Sequence, residues 1–464
     1  MRQSSVGVLS VVLAAGLGTR MNSSRPKVLH ELCGRPMLAY VLDVAREVSG
    51  RRPLVVYSPA TSVITEIFAG EADFALQETP LGTADALRAA LAATPETADE
   101  ILVLQADVPL VQADLLAEMI DLRRARSAAM AMVAVHAAEP RGFGRVVRTD
   151  DGGQVLRVVE EKDASPEERE IDEINAGVYA FDAAWLRRRV GDVKPSPVSG
   201  EFYLPALVEL ARDDRRPVVS LEVEDDGTLA GINDRAQLAA AELEMRMIIN
   251  ERHMLAGVTF VDPIRTYVDA TVELAQDVIL EPGVILRGST RIGEGTRIGA
   301  GSQIIDTAIG RDCFIWASVL ERSEVEDEVW IGPFSHLRAE SSIGRKAKLG
   351  SFAEVKASRL AAGVQQHHFS YIGDAELGER TNVGAGTVTC NYDGVRKNRT
   401  KIGKGVFLGS DTMLIAPVEL GDGARTGAGS VVTKDVPAGM LAVGVPARIR
   451  KPRQSGGERP AKNA

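Results

Sequence analysis

Two periodicities divide the chain. Up to about residue 230, short aliphatic runs alternate with stretches whose apolar residues return at helical spacing: VGVLSVVLA, PMLAYVLDVARE, PLVVYS, TSVITEIFA, ADALRAALAA, EILVLQA, ADLLAEMIDLRRA and AMAMVAVHA. This strand–helix–strand cadence predicts a doubly wound, Rossmann-like α/β domain, in which ligands gather at the carboxyl ends of strands. Residues 234–255 keep a spacing near 3.6 without glycine or proline and predict one long connecting helix. Beyond Gly257 the apolar period becomes six. Ile292, Ile298 and Ile304 keep it, as do Ile331, Leu337, Ile343, Leu349 and Val355, and then Ile402, Leu408, Leu414 and Leu420, with Thr426 as a break before Val432. A fixed six-residue period predicts a parallel β-helix, each repeat a short strand and turn stacked around an aliphatic column. A β-sandwich would show irregular strands 8 to 12 residues apart. The predicted domains are 1–232, a linker helix at 233–256, a β-helix at 257–450 and a polar, mobile tail at 451–464. Two stretches, 356–371 and 389–400, leave the register and are expected to form surface loops.

Composition sharpens the division. Of 44 glycines, 16 fall in residues 1–256 and 28 in the shorter remainder, and aromatics are only 5%, which suits a narrow prism with room for small branched side chains. The net charge of −10 and pI near 5.4 argue against general binding to nucleic acid or anionic membranes. Three widely spaced cysteines, Cys33, Cys313 and Cys390, offer neither a disulfide framework nor a zinc pattern and suit a reducing compartment. The apolar run at 6–15 is too short for a membrane helix and reads as a buried first strand rather than a signal peptide, so a cytoplasmic location is expected.

The segment LAAGLGTRM at 13–21 follows that first strand directly, with PK at 26–27. Glycines at 16 and 18 let backbone N–H groups turn toward an anion, and Arg20 and Lys27 add full charge, which makes a phosphate cradle. The spacing is neither GxxxxGK[ST] nor GxGxxG, so a Walker loop and dinucleotide binding both lose ground. Asp107 ends EILVLQAD, at the carboxyl edge where a metal would sit; an aspartate there is otherwise a turn or helix cap.

These residues resemble the nucleotide-sugar pyrophosphorylases, whose opening AAGxGTRM is followed by PK. QETPLGTADA (77–86) is similar to their base-recognition segment and QADVPL (105–110) to their metal-aspartate segment. GFGR (142–145) and VEEKDA (159–164) are similar to their sugar-binding strands, and EINAG and GIND follow in order. With the six-residue repeats, the chain resembles over about residues 5–450 the bifunctional N-acetylglucosamine-1-phosphate uridyltransferase/glucosamine-1-phosphate N-acetyltransferases, which implies a left-handed β-helix. The resemblance implies that Leu13, Ala14, Ala15, Gly16, Lys27, Gln77, Gly82 and Thr83 hold the nucleotide, and that Arg20 and Lys27 act in catalysis. It implies that Gly142, Glu160, Asn175 and Asn233 hold the sugar, and that Asp107 and Asn233 hold magnesium, a hard cation suited to oxygen ligands. Joining a sugar 1-phosphate to UTP brings two polyanions together, so cations matter more than a protein nucleophile. The chain departs from the family at Asp85, at Ala106, and at Pro205 and Ala206.

In the second half, QHHFSY places His368 and Tyr371 at the family's histidine and tyrosine. An amine attacking a thioester must lose a proton, and His368 is the candidate general base. His367 is a departure and is expected to face away. By resemblance, Arg338, Lys356, Tyr371, Asn382 and Lys397 clamp the sugar phosphate, and Asn391, Tyr392, Ser410, Ala428 and Arg448 meet acetyl-CoA, with Arg450 an open alternative to Arg448. TCNYDGVRKNR (389–399) is similar to the family's arm toward a neighbouring subunit, and a homotrimer is implied. The substrates implied are acetyl-CoA, glucosamine 1-phosphate, UTP and N-acetylglucosamine 1-phosphate. Two other readings stand beside this one. A single-activity nucleotidyltransferase with a β-helix used for assembly would have no reason to carry His368, Tyr371, Lys356, Asn382 and Lys397; a nucleotide-sensing scaffold would have no reason to keep Arg20, Lys27, Asp107 and Asn233.

Overall fold

The computed structural model describes residues 7–94, 98–149 and 153–452; Val6 and most of the predicted mobile tail lie outside them. The chain forms two compact units that divide between Met245 and Arg246. In the first, β1 (Val8–Leu13), β2 (Leu54–Tyr57), β3 (Asp73–Leu76), β4 (Glu100–Gln105), β5 (Met130–His136), β6 (Glu173–Asp182) and β7 (Val218–Glu224) form a sheet in the order β7-β5-β6-β4-β1-β2-β3. All six residues of β1 are buried, as a strand covered on both faces requires. Alternate residues feed two cores. Val12 packs with Leu38 and Leu42 of α1 (Met37–Ser49) on one face, and Val11 with Leu87 and Leu91 of α2 (Thr83–Ala93) on the other. The doubly wound arrangement is thus present, but the sheet is mixed: β6 runs antiparallel to β4 and β5. The chain reaches β6 from the hairpin Arg145–Arg148/Val155–Val159 rather than through a long crossover helix, so the direction reverses.

Helix α3 is Ala113–Ala125, and the long helix is α4, Arg235–Leu255. Asp234 caps it, its Oδ1 accepting from the amides of Ala236 and Gln237 at 2.9 Å each. Among the described residues no helix is long and apolar enough to cross a membrane.

The second unit is a parallel β-helix whose coils pair strand on strand in three parallel sheets. The residues that keep the six-residue period are the buried column, from Ile292 to Val432. Thr426, the break in that column, is also buried. Its hydroxyl accepts from the Gly409 amide at 2.9 Å and shares a 2.7 Å hydrogen bond with Thr412, so the polar atom is satisfied inside. The expectation of two surface loops needs one correction. At 356–371 no loop leaves the ladder: one turn is shortened, so Val355 is followed inward by Leu360, and Gln366 and Ile372 then resume the period. The ladder tolerates this because a five-residue step still brings the next strand under its partner, as Ile304 to Ile309 does earlier. The second stretch does leave the ladder, between the strands Val388–Cys390 and Thr400–Ile402.

Gln366 occupies an aliphatic position with no exposure, and among the described residues its Oε1 has no hydrogen-bond partner. Leucine there would remove that oxygen but also the Nε2 donor to the buried Ser370 Oγ at 3.1 Å, so Gln366→Leu is expected to shift stability by less than about 1 kcal/mol, read as a urea midpoint close to the parent's at unchanged slope.

Candidate functional site

One cavity of about 450 Å³ opens at the carboxyl ends of β1 and β4. Leu13, Ala14, Ala15, Gly16, Lys27, Gln77, Gly82, Thr83 and Asp107 all line it. Lys27, Asp107, Gly82 and Thr83 are joined by hydrogen bonds or close packing to other named residues. The Lys27 ammonium donates to Asp107 Oδ2 at 2.5 Å and to Asn233 Oδ1 at 3.1 Å. Gly18, at φ 61°, lets the loop pass so close to Lys27 that an added Cβ would lie 2.5 Å from the lysine Cβ. Gly82, at φ 120°, lets α2 start against the chain at Phe202, whose carbonyl an added Cβ would approach to 2.4 Å. That contact continues as a ladder: the Ala84 amide donates to Phe202 O at 2.9 Å, and Thr83 Oγ1 accepts from the Leu204 amide at 2.9 Å. Glu201 and Tyr203 also line the cavity, and sequence reading did not single them out. The signal lies in GEFYL, immediately before Pro205 and Ala206. Arg20 is exposed and does not line the cavity.

The sugar-side candidates lie beside this cavity rather than in it. Glu160 lines a second recess of about 410 Å³, which also has Pro205 and Ala206 in its wall and shares Tyr203 with the first. Burial, then the nearby Asp163 and Glu201 carboxylates, push the Glu160 carboxyl above its ordinary range. Gly142 donates its amide to Glu161 at 3.3 Å, and Glu161 is paired at 2.9 Å with the buried Arg145. Asn175 is turned inward: its Nδ2 donates to the Tyr179 hydroxyl at 2.6 Å and its Oδ1 accepts from the Gly177 amide at 3.2 Å, which makes it a brace of the β6 bulge.

Because the native state holds the Glu160 proton more tightly than the unfolded chain, its contribution to stability falls as pH rises from the ordinary carboxyl value through the raised one. Glu160→Gln is expected to raise stability relative to the parent protein at pH 8 and to change it little at pH 4. Urea unfolding at the two pH values checks this.

The donor set fits a hard divalent cation. Asp107 and Asn233 present oxygens to the same ammonium, so a cation already bridges them, and the Asn233 Nδ2 is turned away onto Gly231 O at 3.1 Å. Among the described residues no group of three or more His, Cys, Asp or Glu could hold a metal ion, so phosphate oxygens and water would complete such a site.

In the β-helix, the residues following Leu337 and Val355 stack on one edge of consecutive coils, bringing Arg338 over Lys356, and Lys356 pairs with Gly373 in the next coil. Lys397 reaches in from the loop. Its side chain, within hydrogen-bonding reach, holds the Lys356 ammonium below its ordinary range, with burial adding to the effect. Asp374, which sequence reading missed, lies among them; it accepts a hydrogen bond from Asn391 Nδ2 and attracts both lysines. Tyr371 is close enough to act on Lys397. His368 and Asn382 lie at a different corner. His368 is exposed, at φ 60°, just before the strand Ser370–Gly373, while Asn382 stacks under Gln365 in another sheet. His367 Nε2 lies 3.1 Å from Gln365 Oε1, an acceptor, so that nitrogen carries the proton, and the ring does not face away from His368, the two centroids being 6.1 Å apart. Tyr392 is exposed and donates to Gly394 O at 2.7 Å. Ser410 and Ala428 are exposed on neighbouring coils, joined through the Gly429 amide donating to Ser410 O at 2.8 Å. Arg448 and Arg450 are two apart on one exposed strand, Ala447–Arg450, and so share a face.

Comparison with known proteins follows this division. Residues 10–166 match the MobA-like NTP transferase domain, 289–319 the hexapeptide repeat of succinyl-transferase, and 399–434 the bacterial transferase hexapeptide (six repeats). The chain is therefore an enzyme with an NTP transferase domain followed by a hexapeptide-repeat transferase domain of left-handed β-helix form. The bifunctional protein GlmU of Mycobacterium bovis is 42% identical over 441 residues, which cover 93% of this chain and 89% of that protein. The bifunctional protein GlmU of Caldanaerobacter subterraneus subsp. tengcongensis is 40% identical over 449 residues, 97% of each. That of Pelobacter propionicus is 40% identical over 439 residues, 94% of this chain and 95% of that protein. The chain belongs to the GlmU family of bifunctional proteins.

Proposed function

We propose that the protein makes UDP-N-acetylglucosamine in two steps, acetylating glucosamine 1-phosphate with acetyl-CoA in the β-helix and then uridylylating the product with UTP in the first unit. The observation that carries the bifunctional reading is the cluster of Arg338, Lys356 and Lys397 around Asp374 and Tyr371: with Asp374 and with Glu354, which pairs with Arg338 at 3.1 Å, three cations face two carboxylates, and the remaining positive charge suits an anionic substrate and has no use in an assembly module. In the first step the amine of glucosamine 1-phosphate attacks the thioester carbonyl, His368 accepts the amine proton, and the C–S bond breaks to release CoA. In the second, a phosphate oxygen of N-acetylglucosamine 1-phosphate attacks the α-phosphorus of UTP, and the bond to the β-phosphate breaks to release pyrophosphate. Lys27 neutralises charge on the phosphates, and the exposed Arg20 lies on the same loop to assist. Asp107 and Asn233 would hold magnesium, which when bound supplies further charge neutralisation on the phosphates.

A homotrimer goes with this reading. Phe334 and Phe352 stack at 5.5 Å while 60% and 62% exposed, and Val395 at the tip of the 391–399 loop is 89% exposed, which supports self-association of the β-helix. A cytoplasmic setting agrees with three cysteines that form no disulfide among the described residues. The test is a paired assay on purified protein: CoA release from acetyl-CoA with glucosamine 1-phosphate, and pyrophosphate release from UTP with N-acetylglucosamine 1-phosphate and magnesium. Both products are expected; pyrophosphate without CoA would reduce the β-helix to an assembly module.

A further inference from the structure

Asp85 stands where the family pattern has GTGH or GTAH, and it is fully engaged. Gln77, 4% exposed, donates from Nε2 to Gly82 O at 3.2 Å and to Asp85 Oδ2 at 2.7 Å. A backbone carbonyl and a carboxylate only accept, so the amide nitrogen has to lie on that side, and the orientation of the amide is dictated by chemistry. Asp85 is itself held. Its Oδ1 lies 3.7 Å from Arg88 Nη1, and that guanidinium donates to Val190 O at 3.1 Å and Val193 O at 3.0 Å and sits 4.6 Å above the Phe202 ring. What remains of the Gln77 amide is Oε1. It accepts no hydrogen bond among the described residues, and Gln77 lines the cavity beside Gly82 and Thr83.

We propose that Asp85 is a positioning residue for nucleotide selection: by fixing the Gln77 amide it commits Oε1 to the cavity, so that the base must present an N–H there. A uracil-type ring carries that donor at N3. Cytosine has a lone pair at N3 and would set two acceptors against each other, leaving both unpaired in a site where Gln77 is almost fully buried. An unanchored glutamine could rotate its amide by half a turn and serve either base; one bound to two acceptors cannot. The inference rests on the uridylyl-transfer reading above and deepens it by assigning the origin of base choice.

The experiment compares kcat/KM for UTP and CTP, by pyrophosphate release from the full-length protein with N-acetylglucosamine 1-phosphate and magnesium, in the parent enzyme, Asp85→Ala and Asp85→Glu. Asp85→Ala is expected to lower the UTP-to-CTP ratio about tenfold, the effect of roughly one hydrogen bond's orientation, and to do so through KM. Asp85→Glu keeps an acceptor-only group on the first turn of α2 and is expected to retain most of the ratio. An unchanged ratio in Asp85→Ala, or equal losses in both variants, would overturn the proposal. Should Asp85→Ala not fold, calorimetric titration of the parent protein decides: UDP is expected to bind at least tenfold more tightly than CDP, and equal affinity overturns the proposal. A parent enzyme that releases no pyrophosphate from UTP would instead overturn the uridylyl-transfer reading itself.

Discussion

Lys27→Ala is expected to lower uridylyl transfer by about 10²–10³-fold, the usual loss when one fixed charge-stabilising group is removed from a closed site. The residue does more than add charge. Its ammonium ties Asp107 at the end of β4 to Asn233 just before α4, so its removal leaves two oxygens facing each other without a bridging cation. Two readouts follow. Turnover should fall with the substrate KM values changing less, because the charge matters most as the α–β bond opens. The magnesium concentration giving half-maximal residual activity should also fall, since the metal no longer competes with an ammonium for Asp107 and Asn233. Equal turnover in the variant and the parent enzyme would remove Lys27 from the machinery.

His368→Ala is expected to lower acetyl transfer by about 10²–10⁴-fold, the range general-base catalysis contributes, while pyrophosphate release from UTP continues. The neighbouring histidine supplies the comparison. His367 is partly enclosed, and burial, then His368 and then Lys348, hold its ring below the ordinary histidine range, so it stays neutral with Nε2 toward Gln365. His367→Ala should therefore cost far less CoA release than His368→Ala. The reverse order would move the base to His367 and make His368 a consequence of the tight turn in which it sits.

How much of this could be read from the sequence varies along the chain. The solenoid column was legible almost residue by residue, because each coil repeats the same demand for one inward aliphatic side chain. The stretch at 356–371 misled: a one-residue shortening looks like lost register in a sequence, but the parallel ladder absorbs it in a turn, and Gln366 hid the column by being polar. In the first unit, α1, α2 and the strands on either side of them stood out, whereas the antiparallel β6 did not, because strand direction is set by how the chain arrives. Motif reading brought Lys27, Gln77 and Asp107 to one cavity. It could not see that Asn175 faces inward onto Tyr179, that Asp374 sits among the lysines, or that Asp85 fastens Gln77, since each depends on partners distant in space or on local rotamers.

The stacked coils also act as a ruler. Successive strands are about 4.8 Å apart, and Arg338, Lys356 and Asp374 are carried one coil after another, with the Asp374 amide bonded to Lys356 O at 3.0 Å. The spacing of their charges is thus counted in whole coils and is insensitive to what the side chains between them are. A lineage could lengthen or shorten the prism ahead of Ile331 by complete turns and keep this arrangement intact, while one coil gained between Arg338 and Asp374 would pull the cluster apart with every residue still in place.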